Sequence, residues 1–221
     1  MDPFILKCCM GKDVPEDFED RIHLLQSLGM KATAHTLVKP PFLTEQEAID
    51  DAVFTVKTAF EKNLADLMLV MTMNKRDATL VGELAERGQY ELPKIWSTVA
   101  IMRALGPELC KKTKFLGFSI APEAIEKDAE TVNGCDGCRE SIVKKITEFA
   151  STPEQWQEIM DAADATDCDC KTEWNRRINE KPALSLPERV AHQLDPIART
   201  YTKKSFREWE IQVKEKAAKA K

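Results

Sequence analysis

The chain has 221 residues, 31% charged and 43% hydrophobic, with a formal net charge of -5. That size and mix suit a globular protein of one or two domains and exclude a collagen-like or low-complexity chain. No run reaches the roughly 18 apolar residues that a membrane span requires, and the opening "MDPFILKCCMGKD" lacks a secretion signal's charged start and long apolar core, so a cytoplasmic location is expected.

The first predicted element is a helix over Asp13–Leu28. Asp13 would cap it, Pro15 fits its first turn, and Phe18, Ile22 and Leu25 share a face before Gly29 stops it. "KATAHTLV" then reads as a short buried strand. Two prolines end that strand after Lys39, because proline donates no ladder hydrogen bond, and they stiffen the turn before the next helix. Thr44 and Glu47 have capping-box spacing, and Ile49, Ala52, Val53, Val56 and Phe60 form a broad apolar stripe behind them. "LADLMLVMTM" is nearly all apolar and short, as a parallel strand buried on both faces would be.

Two strands around one helix make a βαβ unit, so the expected class is α/β. A loop at the carboxyl end of such a strand is where α/β proteins place ligands, although the plainer reading, which chemistry alone favours, is a rigid turn and nothing more. Helices are predicted over Ala78–Arg87, Pro93–Leu105, Arg139–Phe149 and Pro153–Ala163, with a strand at "KFLGFSI". "APEAIEKDAETVNG" reads as a polar linker. It divides the chain into residues 1–120, a Cys-rich 121–180 and a helical tail 181–221.

Charge is uneven along this order. Residues 199–221 hold eight Lys and Arg against three Glu, a tail of about +5 on a body of about -10. From Ser205 onward Phe206, Trp209 and Val213 share a face ringed by basic residues. Lys203, Lys204, Arg207, Lys214 and Lys216 are therefore candidates for neutralising phosphates of a nucleic acid. The plainer reading is an amphipathic helix docked on its own body with solvated lysines.

The strongest chemical signal lies in the seven cysteines, which in a reducing compartment point to metal or thiol chemistry rather than to disulfides. Cys135 and Cys138 form a C-x2-C pair, and Cys168 and Cys170 a C-x-C pair. Two such pairs on tight turns offer the four thiolates of a tetrahedral structural zinc site, which leaves no coordination position open for substrate. Free thiols, an iron–sulfur cluster and a redox pair are the alternatives. Cys8 and Cys9 are adjacent and ill-placed to share one metal, and Cys110 reads as a core or surface thiol. His23, His35 and His192 show no ligand spacing, and no GxGxxG, GxxxxGK[ST] or GxSxG motif is present.

Four stretches in order, "ILKCCMGKD", "VKPPFLTEQEAIDDA", "ATLVGELAERGQYELPKIWSTVAIM" and "NGCDGC…DCDCKTEW", resemble the radical-SAM subunit family of archaeosine synthase, itself related to the radical-SAM part of the Elongator catalytic subunit. The resemblance implies a partial (β/α) barrel followed by a small, mainly helical Cys-rich domain. It also implies a role in tRNA modification, the conversion of a lysine-modified 7-deazaguanine to archaeosine with S-adenosylmethionine and a [4Fe–4S] cluster, after a partner enzyme attaches the lysine. Lys39, Pro40, Phe42 and Asn74 would line the cofactor and substrate cleft, with Lys39 meeting a phosphate or carboxylate.

The family's C-x3-C-x2-C cluster motif is absent from these 221 residues. Radical chemistry is therefore expected only with a further chain or segment that supplies the cluster-binding half. A half barrel would also leave "ATAHTLV" as an unpaired edge open to a partner. The alternative function is a non-catalytic, zinc-stapled module that binds tRNA or protein.

Overall fold

A computed structural model describes residues 17–117, 129–130, 132, 134–203, 205–208 and 211. The α/β class is met by a parallel sheet of order β1–β2–β4, formed by Thr33–Val38, Leu67–Thr72 and Thr113–Leu116. Thr33 pairs with Leu67 and Val38 with Thr72, then Met68 with Thr113 and Met71 with Leu116. Among the described residues no strand pairs with the outer edge of β1.

The first helix, α1, covers Phe18–Ser27 and has no buried residue. The expected apolar face therefore meets little protein: Phe18 and Leu25 are exposed, as are Leu24 and Leu28 beside them. Polar contacts hold α1 instead, with Lys62 Nζ 2.6 Å from Glu19 and His23 Nε2 3.0 Å from the Lys62 carbonyl. Asp13 and Pro15, expected to start this helix, lie outside the described residues.

Helix α2, Glu45–Glu61, begins at the predicted capping box: the Thr44 side chain accepts from the Glu47 N–H, and the Glu47 carboxylate accepts from the Thr44 N–H. Its inner face buries Ala48, Ile49, Ala52, Val56 and Ala59. Helix α3, Leu80–Glu86, follows a two-residue strand β3, Lys75–Arg76, that pairs antiparallel with β5, Ala129–Glu130. Helix α4 runs past its expected end to span Ile95–Cys110, because the chain resumes helical geometry at Pro107 after one non-helical residue, Gly106 (φ 71°). Proline is tolerated there as the first residue of a new turn.

The Cys-rich part starts with α5, Asp136–Cys138, a π turn over Arg139–Val143 and α6, Lys144–Thr147. The wider turn keeps Cys138, Ile142 and Ile146, spaced by four, on one inward face, each at most 1% exposed. Helix α7, Pro153–Ala165, lies against α4 and buries Ile159, Met160 and Ala163. Helix α8 over Asp169–Ile178 and helix α9 over Leu186–Thr202 follow.

One buried cluster runs from Val38, Val56 and Met68 through Trp96, Ile101 and Phe115 to Cys138, Ile146 and Ile159. A second joins Phe42, Leu43, Val81, Leu84 and Tyr90 to Val190 and Leu194 of α9. Helix α9 thus docks on the β1–α2 loop through the apolar stripe that its sequence carries. Arg189 secures it, with Nη2 2.8 and 2.7 Å from the two Glu47 oxygens. Burial pushes the Glu47 carboxyl up, but hydrogen bonds from Arg189 and the Thr44 backbone outweigh it and hold the group below its ordinary range. Among the described residues no helix is long and apolar enough to cross a membrane.

Candidate metal centre

Cys135 stands at the start of α5 in extended backbone (φ -65°, ψ 169°), and the Cys138 and Arg139 N–H groups turn back onto its carbonyl at 3.0 and 2.9 Å. Cys168 precedes α8 and Cys170 lies in its first turn. The turn at α5 and the start of α8 meet so that all four Sγ atoms fall within 4.8 Å of one another. Cys135 to Cys138 is 3.7 Å, Cys138 to Cys170 3.3 Å and Cys168 to Cys170 3.5 Å. The two sequence-predicted pairs thus converge on one point and can hold a metal ion.

The glycines of "NGCDGC" are required by space as much as by turn freedom. A Cβ on Gly134 would sit 2.6 Å from Cys138 Sγ and 2.9 Å from a Val143 methyl, and one on Gly137 would sit 3.0 Å from Cys168 Cβ. Gly134→Ala is therefore expected to displace Cys138 and weaken zinc affinity by at least about tenfold, a size typical of disturbing the support of a metal ligand. Competition with a chromophoric zinc chelator measures this, and unchanged affinity would show that Cys138 is not fixed by the turn.

Without metal the thiols are unequal. Burial opposes ionisation of Cys135, but hydrogen bonds from Cys170 and Cys168 bring it down to about 7. Burial raises Cys138, and it raises Cys168 to about 11. An arriving cation displaces the thiol protons, so metal uptake depends on pH. Cys110 stands apart, fully buried and raised to about 12 by that burial, as a core thiol.

Around the sulfurs the support is polar and specific. Trp96, 2% exposed, donates its indole N–H to Cys170 Sγ at 3.2 Å and so orients that sulfur. Lys171 lies 5.1 Å over the Trp96 ring while its Nζ caps the end of α7, 2.7 Å from the carbonyls of Ala163 and Thr166. Trp174, one turn beyond Cys170, donates to Ser97 Oγ at 2.9 Å, and Ser97 donates to the Glu45 carboxylate. Glu45 in turn holds Lys39 Nζ at 2.7 Å. Trp96, Ser97, Glu45, Lys171 and Trp174 were not singled out as site residues. Trp174 was findable, because it follows Cys170 at helical spacing in the quoted "DCDCKTEW".

No family model and no solved structure matches the chain. Over 165 residues it is 27% identical to archaeosine synthase subunit beta of Methanosarcina acetivorans, covering 72% of this chain and 43% of that protein. The chain is a distant relative of that subunit. It is also 23% identical over 167 residues to an uncharacterized protein of Methanocaldococcus jannaschii, covering 75% of this chain and again 43% of the relative. The chain therefore spans less than half the length of the curated relatives it matches.

The residues that the resemblance placed in a cleft are only partly together. Lys39 and Phe42 line one pocket, of which Pro40 and Asn74 are not part. Pro40 is buried within the β1–α2 loop, and Asn74, past the end of β2, keeps a buried Oδ1 without a partner. Lys39 is 8% exposed and already engaged by Glu45, so it is a buried, paired ammonium rather than a solvated one. Lys39 and Phe42 both have positive φ, 56° and 77°. That conformation is uncommon outside glycine and a genuine outlier for a bulky residue such as phenylalanine. The Tyr90 hydroxyl holds the loop by donating to the Lys39 carbonyl at 2.7 Å. Of the basic tail, Lys203 and Arg207 are exposed, while Lys204, Lys214 and Lys216 lie outside the described residues.

Proposed function

We propose that this chain is a component of a tRNA-modifying enzyme resembling archaeosine synthase, with a structural zinc at its four cysteines. The similarity over 165 residues to archaeosine synthase subunit beta carries this reading. The three parallel strands are then a sector of a (β/α) barrel, with Lys39, Pro40, Phe42 and Asn74 at the ends of β1 and β2 facing the cleft. Residues 121–180 are the zinc-stapled unit and 181–221 the basic helical unit. S-adenosylmethionine and a [4Fe–4S] cluster belong to polypeptide outside these 221 residues, since the C-x3-C-x2-C motif is absent from them. The outer edge of β1 is the surface on which that polypeptide docks.

Sulfur spacing supports zinc over a cluster. Four bonds of about 2.3 Å to one tetrahedral ion place sulfurs about 3.8 Å apart, close to the 3.3–3.7 Å separations of three of the sulfur pairs. A cubane needs its cysteines spread further.

A second reading, a non-catalytic zinc-stapled module that binds tRNA or protein, is favoured by the same missing motif and by the exposed Lys203 and Arg207. One experiment separates the two. The chain is co-expressed with a cluster-bearing archaeosine synthase half and supplied with lysine-modified tRNA, and the nucleosides are read by mass spectrometry. Archaeosine that forms only when both are present supports the first reading. No product from a folded, cluster-loaded complex rejects it, and tRNA retention by this chain alone that weakens steeply with salt then supports the second.

A further inference from the structure

The β1–α2 loop, the Gly88–Glu91 loop, α8 and α9 enclose a pocket of about 400 Å³. Its wall is built around Arg189. Burial of Val190 and Leu194 in the second core cluster seats α9 on the body and leaves Arg189 only 9% exposed. Arg189 Nη2 is committed to Glu47, but Nε and Nη1 have no hydrogen-bond partner. Gln193, one turn further along α9, and Gln89 from the facing loop each present a buried amide oxygen that is also unpartnered.

A buried guanidinium with two idle nitrogens is costly to leave unsatisfied. Two idle acceptors beside it in the same pocket double the anomaly. Unmet donors and unmet acceptors together ask for a ligand that carries both.

The carboxylates of the wall are each engaged by a cation of the chain, although Arg176 and Arg177 also share Glu173. Glu45 is held by Lys39, Glu91 by Arg177 and Glu180 by Arg176. The hydrogen bond from Arg177 holds the Glu91 carboxyl below its ordinary range. Phe42 and Tyr90, 5% and 7% exposed, add an apolar edge.

We propose that this pocket binds a small molecule bearing an oxyanion next to a hydroxyl or amino group. Arg189 donates to the oxyanion, and the amide oxygens of Gln89 and Gln193 accept from the neighbouring O–H or N–H. An amino acid and a sugar-phosphate-like ester share that chemistry. The site does not rest on the tRNA reading, because neither its residues nor its test involves nucleic acid.

The test is isothermal titration of the metal-loaded full chain with two probes, glycine for the carboxylate with an amine and glycerol 3-phosphate for the phosphate with a hydroxyl. One of the two is expected to bind with a Kd of about 1 mM or tighter, and Arg189→Gln to weaken it by about tenfold or more. Because Arg189 also holds Glu47, the deciding variant is Gln193→Leu, which leaves that ion pair intact and should weaken the same probe severalfold. Absence of heat from both probes overturns the proposal. So does a Gln193→Leu protein that binds as tightly as the parent.

Discussion

Cys138→Ser is expected to lose the metal ion that the four cysteines can hold, leaving less than about a tenth of an equivalent, and to lower Tm by roughly 10 °C. The size follows from what the sulfurs hold. Helix α8 has no fully buried residue, only the half-buried row of Cys170, Trp174 and Ile178 against the core, and α5 is three residues long, so hydrophobic burial holds both weakly. A structural zinc supplies its binding free energy directly to folding, and losing one of four thiolates forfeits several kcal/mol of it. A loss of about 4 kcal/mol corresponds to roughly 10 °C in a chain of this length. Metal analysis and thermal denaturation measure the two halves of the expectation. Chelator treatment of the parent should reproduce the same Tm. If the variant keeps its metal, Cys138 is not a ligand; if it loses the metal and keeps its Tm, the site is not structural.

The second large effect is expected at Glu45→Gln. Glu45 is 3% exposed and holds Lys39 at 2.7 Å, with Ser97 on its other oxygen. Removing the negative charge leaves the Lys39 ammonium buried without compensation, a change that costs about 3–5 kcal/mol. Urea denaturation reads the loss. Combining Glu45→Gln with Lys39→Met should restore more than half of it, since the cost lies in the orphaned charge rather than in the missing bond. A single variant that loses less than about 1 kcal/mol would mean that Lys39 escapes to water.

Local signals were readable wherever one short stretch decides the outcome. The Thr44–Glu47 capping box, the apolar run of β2 and the C-x2-C turn each depend on a few neighbouring side chains, and all three stand where the sequence put them. Helix α8 was not legible because its apolar row, Cys170, Trp174 and Ile178, is only half-buried in an otherwise polar segment; cysteines and ion pairs such as Arg177–Glu91 fix it. Helix α1 failed in the opposite sense: its apolar spacing is real, but little of the described chain covers that face. The pocket was illegible for a third reason, since Arg189 and Glu47 are 142 residues apart and only the docking of α9 brings them together. Asn74 and Lys39 were paired by resemblance alone, and pocket geometry includes Lys39 without Asn74.

The indole of Trp96 reaches from the middle of α4 to a sulfur that lies 74 residues later in the chain. During synthesis the sheet, α2 and α4 leave the ribosome well before Cys170 does, and N-terminal parts fold first. Until the second cysteine pair arrives, that indole N–H and the apolar face awaiting Cys138, Ile142 and Ile146 stay uncovered. Metal then acts as the final fastener on a half-assembled body, and a nascent chain starved of it remains a target for proteases and aggregation. Cellular abundance of the protein should therefore follow zinc supply even where transcription and translation are constant.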